Sequence, residues 1–153
     1  MNYLQWLTQN TPTKFWHDSA IPSEIDAAIE NGALGVTTNP VLTCKTLQAV
    51  PKFWQPQVDQ IPKDLTPAEH AEALLKMVAV YAAGKFKDVF ETTNGENGYA
   101  LGQLDPSICN DTEKMIAQGL RYASWADNIS VKTPSIMSAL PFVEELSSRG
   151  IAV

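Results

Sequence analysis

The sequence NISVKTP, residues 128–134, has the pattern of a short strand and its end. Ile129 and Val131 are β-branched and favour a short strand, which ends at Lys132 because Pro134 cannot continue a hydrogen-bonded ladder. Helical patterns lie directly on either side, over 110–128 and 135–150. A strand between two helices predicts a βα unit of a parallel sheet.

The same alternation extends through most of the chain. Strands are predicted at 14–20, 35–38, 97–106 and 129–134, and helices at 21–32, 39–48, 67–91, 110–128 and 135–150. Ser23 is the predicted N-cap of the first helix, and Asn39 caps the second, with Pro40 at its first position. Residues 51–67 contain four prolines and are predicted to be an irregular insertion or loop.

The tripeptide Ile151–Val153 has the composition of a further strand. Four βα units and the start of a fifth strand fit two architectures. One is an open, doubly wound sheet, and the other is part of a longer barrel, since a closed parallel barrel needs eight strands. Residues 1–153 are expected to form one domain in either case.

Composition narrows the classes of function. The 153 residues are 44% hydrophobic and 18% charged, with a net charge of −6, which disfavours nucleic acid as a partner. No signal peptide or membrane-spanning run is evident, and two cysteines with two histidines far apart predict no metal site. We expect a cytoplasmic protein that has no membrane partner.

Polar side chains stand at the predicted carboxyl ends of all four strands, where parallel α/β folds bind ligands. They are Asp18, Thr37, Asn39, Gln103 and Lys132. An amine, a carboxylate and two amides in one pocket suit Schiff-base chemistry, in which a lysine attacks a carbonyl and a carboxylate moves protons.

Structural roles are open for the same residues. Lys132 can be a solvated charge at the rim of the sheet, and Asp18 can be a helix cap. Asn39 can cap its helix whatever else it does. Gln103 has no evident structural role at a strand end.

Five segments together resemble, in order and spacing, the transaldolase family with its fructose-6-phosphate aldolase branch: HDSA, GVTTNP, GQLDPSICNDTEKMI, ADNISVKTP and RGIAV. The resemblance implies an (α/β)8 TIM barrel of the class I aldolase type, of which this chain supplies the first four βα units and the start of strand five. It also implies that Lys132 is the Schiff-base lysine, that Asp18 is the acid/base, and that Thr37 and Asn39 contact the substrate. Gln103 falls where transaldolases carry a glutamate and the aldolase branch a glutamine.

The function implied is transfer or cleavage of a dihydroxyacetone unit of a ketose phosphate, without a cofactor. The resemblance also implies a partner, the complementary C-terminal half of the barrel, and leaves a homo-oligomer open. Two alternatives are a catalytically silent scaffold or binding domain, and a lyase similar to fructose-6-phosphate aldolase.

Overall fold

The computed structural model describes residues 1–153, which form eight α-helices and three short strands. The strands are β1 (Gly35–Val36), β2 (Tyr99–Gln103) and β3 (Ile129–Lys132). The helices are α1 (Tyr3–Asn10), α2 (Pro22–Glu30), α3 (Pro40–Ala49), α4 (Pro51–Val58), α5 (Pro67–Lys85), α6 (Lys87–Thr92), α7 (Thr112–Ala123) and α8 (Leu140–Ser148).

The strands form one parallel sheet in the order β1–β2–β3. Extended backbone lies along both of its edges. His17 forms an isolated parallel bridge with Val36 beside β1, and the Val131 N–H donates to the Ala152 carbonyl beside β3 at 2.9 Å. Strands that are neighbours in space are therefore also neighbours in sequence.

The predicted strand at 14–20 is wrong in extent, because only His17 makes a bridge. This segment pairs with residues 34–37: the Phe15 carbonyl accepts from Leu34 at 2.8 Å, the His17 N–H donates to Gly35 at 3.0 Å, and the His17 carbonyl accepts from Thr37 at 2.8 Å. The pairing covers only residues 15–17, so the extended segment is shorter than predicted.

Two local predictions are also wrong. Ser23 is not the N-cap, because Pro22 occupies the first turn and Ile21 is the capping residue, without a side-chain bond. Residues 51–58 are not irregular but form α4, since Pro51 lies in the first turn, where no N–H is needed. Buried Trp54 fixes this helix by donating its Nε1–H to the Thr46 hydroxyl at 3.0 Å.

The hydrophobic core lies on one face of the sheet. Val36, Ala100 and Ile129 pack with residues of α2 and α5, while Val131 packs with α7 and α8. Because side chains alternate along a strand, the residues between these positions point to the opposite face. Gln103 and Lys132 lie on that opposite face.

Asn128 ties the start of β3 to its neighbours. Its buried amide donates to the carbonyls of Ala83 and Gly98, at 2.8 and 2.7 Å. We expect Asn128→Ala to lower the free energy of unfolding by about 2–4 kcal/mol, because two buried carbonyls lose their donor. Denaturant titration checks this. Asn110→Ala, at an exposed site, is the control, and equal losses in the two variants would contradict the prediction.

Candidate functional site

The predicted site residues of β2 and β3 stand side by side. Gln103 is the register partner of Lys132, and each ends its strand at the same edge of the sheet. Neighbouring strands lie about 4.8 Å apart, and register partners project to the same face. The glutamine and the lysine therefore share one face at the carboxyl end of the sheet.

Lys132 also approaches the segment that follows β1. Its Nζ lies 3.5 Å from the Thr37 hydroxyl, and its side chain is half-buried. It forms no ion pair, whereas Lys85, Lys87 and Lys114 are each paired with a carboxylate. The Lys132 amine is therefore not committed to a structural ion pair.

Asn39 and Asp18 are placed differently. The Asn39 side-chain oxygen accepts the Leu42 N–H at 2.9 Å and caps α3, so the capping role open to it from the sequence is confirmed. Asp18 is exposed and does not cap α2, which begins after Ile21. Neither side chain hydrogen-bonds Lys132, so the structure brings together three of the five predicted site residues.

Lys132 borders a cavity of about 620 Å³ beyond the end of β3. Residues 132–137 form its wall with Ala139, Leu140, Val143 and Val153. The Thr133 hydroxyl is buried there and makes no hydrogen bond within the chain. Thr133 was not among the residues predicted for the site, although it directly follows Lys132.

A second cavity, of about 720 Å³, lies between α3, α5 and α7, with Gln103 in its wall. Arg121 crosses this wall and grips Glu72 through two bonds, of 2.6 and 2.8 Å. These bonds hold the pKa of Glu72 below its ordinary value. This cavity is the larger of the two, but its guanidinium is paired with a carboxylate and no lysine lines its wall.

No three His, Cys, Asp or Glu side chains come close enough together to bind a metal ion. No helix is long and apolar enough to cross a membrane.

Comparison with known proteins gives a consistent result. The family model described as Transaldolase/Fructose-6-phosphate aldolase matches residues 15–153. A transaldolase of Acidothermus cellulolyticus is 28% identical over 123 residues, which are 78% of this chain and 33% of that protein. A transaldolase of Trichodesmium erythraeum is 29% identical over 126 residues, 81% of this chain and 33% of that protein. The chain thus spans about a third of the length of the curated relatives it matches.

Proposed function

Since this chain belongs to the transaldolase/fructose-6-phosphate aldolase family, we propose that it carries the Schiff-base lysine of a transaldolase-like class I aldol enzyme. The substrate class is a ketose phosphate, from which a dihydroxyacetone unit is transferred. The observation that carries the proposal is the setting of Lys132, an unpaired amine at a strand end between Thr37 and Gln103.

The chemistry begins with attack of the Lys132 Nζ, as the free amine, on the keto carbon of the sugar. The carbinolamine loses water to give an iminium ion. Cleavage of the C3–C4 bond sends its electron pair into the iminium as an enamine and releases an aldehyde. The enamine then adds to an acceptor aldehyde, and water hydrolyses the new iminium to free the lysine.

The neighbouring side chains have roles that suit their positions. Gln103 is uncharged and adjacent to Lys132 in register, so its amide can orient the water that hydrolyses the iminium. The Thr37 hydroxyl can bond the carbinolamine oxygen or a sugar hydroxyl, as can Asn39 with the part of its amide not used in the cap. Asp18 is proposed as the proton shuttle, acting through a water, because no direct bond joins it to Lys132.

The proposed architecture is an eight-stranded barrel completed by a C-terminal half. The consecutive strand order and the single helical layer support it. Exposed apolar side chains lie past β3 in the wall of the smaller cavity: Ile136, Met137, Leu140 and Val153. Surfaces of this kind are normally covered, and the next βα unit of a barrel would cover this one.

Borohydride trapping tests the function. The complete protein is incubated with fructose 6-phosphate or dihydroxyacetone and then reduced, so that an iminium becomes a stable secondary amine, and the modified peptide is mapped by mass spectrometry. We expect one adduct, on Lys132. An adduct confined to other lysines, or none with either carbonyl, would refute the lysine mechanism and favour a silent scaffold.

A lyase similar to fructose-6-phosphate aldolase is the second candidate, favoured by Gln103. Glutamine in place of the glutamate of transaldolases removes a carboxylate from the water site, whereas the aldolase branch carries glutamine there. The two reactions differ in their need for an acceptor. Release of many equivalents of glyceraldehyde 3-phosphate per site from fructose 6-phosphate without an acceptor indicates a lyase, and release that stops at about one equivalent until an acceptor aldehyde is added indicates a transferase.

A further inference from the structure

We propose that Thr38 is a positioning residue that holds Thr37 opposite Lys132. The inference rests on the proposed function and deepens it, since it names the bond that sets the geometry of the amine. Thr38 makes no hydrogen bond to Lys132 and acts through the backbone of its neighbour.

The ladder between β1 and β2 ends before the site. Its last register pair is Val36 with Ala100, so Thr37 lies outside it. The Thr37 N–H donates to His17 on the far side, at 2.8 Å, and the Asn39 side chain is used in the cap of α3. Backbone pairing therefore does not fix the distance between Thr37 and β2.

The Thr38 hydroxyl supplies the missing connection by donating to the Leu101 carbonyl. It makes the only hydrogen bond from residues 37–39 to β2. Leu101 lies two residues before Gln103, the register partner of Lys132. This bond thus ties the chain that carries Thr37 to the strand that lies beside the lysine.

Because Thr38 is buried, loss of its hydrogen bond to Leu101 would be costly. Thr38 is fully buried, so no water replaces its hydroxyl if the side chain loses it, and the Leu101 carbonyl would then lack this donor. The contact between the Lys132 Nζ and the Thr37 hydroxyl is easily lost, because its length of 3.5 Å is at the outer limit of hydrogen bonding. A shift of about half an ångström in residues 37–39 would break that contact.

Thr38→Val tests the proposal, because it keeps the shape of the side chain and removes the hydroxyl. We measure the single-turnover rate of borohydride-trappable adduct on the complete protein, and the carbonyl concentration at half-maximal rate. Misplacement near a reacting centre costs up to about 10²-fold, so we expect the maximal rate to fall by about 10- to 100-fold. The carbonyl concentration at half-maximal rate should change by less than about threefold, because Thr38 is fully buried and is not expected to bind the substrate.

Thr46→Val is the matched control. Thr46 is also fully buried, and its hydroxyl likewise makes one hydrogen bond, to the Trp54 indole, but it lies in α3 away from the site. We expect it to lower the melting temperature about as much as Thr38→Val and to leave the trapping rate within about twofold. Thr38→Ser, which keeps the hydroxyl, should restore the rate to within about threefold of wild type.

The outcomes separate the two proposals. If the wild-type protein traps carbonyl on Lys132 and Thr38→Val traps it as fast as Thr46→Val, the positioning role is refuted and the proposed function stands. If the wild-type protein traps nothing, both proposals are refuted. Should Thr38→Val not fold, comparison of Thr38→Ala with Thr38→Ser decides, since they differ only in the hydroxyl, and equal rates would overturn the inference.

Discussion

Substitution of Gly98 by alanine is expected to lower the free energy of unfolding by about 3–5 kcal/mol, a large part of the roughly 5–15 kcal/mol that holds a domain folded. Gly98 has a φ of +88° directly before β2. An alanine at this φ costs about 1–2 kcal/mol. Its Cβ would also overlap the backbone nitrogen of Phe90 and lie 2.6 Å from the Phe90 Cα.

The clash cannot relax easily, because the two Phe90 atoms nearest to the added Cβ belong to the backbone. Gly98 also bonds to the segments that precede β1 and β3: its N–H donates to the Leu34 carbonyl at 2.6 Å, and its carbonyl accepts from buried Asn128. A shift that freed the Cβ would lengthen these bonds at the start of the sheet. We therefore expect a destabilisation that exceeds the conformational cost alone.

Two glycines serve as graded controls in chemical denaturation. Gly95 has a similar φ of +80°, but its Cβ would meet Phe90 at an ordinary 3.5 Å, so Gly95→Ala isolates the conformational cost of about 1–2 kcal/mol. Exposed Gly84, in α5, has no neighbour within 4 Å, and Gly84→Ala should stabilise by about 0.5–1 kcal/mol. Equal losses for Gly98→Ala and Gly95→Ala would show that the approach of Phe90 is unimportant.

Local pattern was sufficient to predict which strand ends lie side by side. Lys132 and Gln103 each end a strand flanked by helices, and side chains alternate with a period of two. Parallel strands that follow one another through helices usually lie side by side, so their ends were expected to meet. The structure confirms this for Gln103 and Lys132, and it brings Thr37 within reach of the amine.

Tertiary contacts determine the features that the local sequence pattern did not predict. The Thr38 hydroxyl bonds a carbonyl 63 residues away, and no spacing within one segment indicates such a partner. The burial of Trp54 turns a proline-rich segment into α4, where propensity alone predicted a loop. Asp18 follows a one-residue bridge and not a strand, so alternation could not predict where its side chain points.

Replacement of Lys132 by methionine should abolish turnover while leaving the fold intact. Loss of a covalent nucleophile lowers rates by about 10⁴- to 10⁶-fold, and we expect a fall of that order in aldol transfer or cleavage. Because the amine makes no ion pair and only one 3.5 Å contact, the free energy of unfolding should change by less than about 0.5 kcal/mol. Steady-state kinetics and denaturant titration measure the two effects.

Lys132→Arg decides between the nucleophile and the rim charge that the sequence left open. A guanidinium keeps the positive charge and can still attract a phosphate, but it does not form the Schiff base, since it stays protonated. A nucleophilic Lys132 therefore predicts that arginine is as inactive as methionine. Lys85→Met is the control, because Lys85 is paired with Asp26 at the surface, at 2.7 Å, and should lose under about 1 kcal/mol of stability and no activity. If Lys132→Arg retained activity within about tenfold of wild type, the lysine would act through its charge, and the Schiff-base mechanism would have to be abandoned.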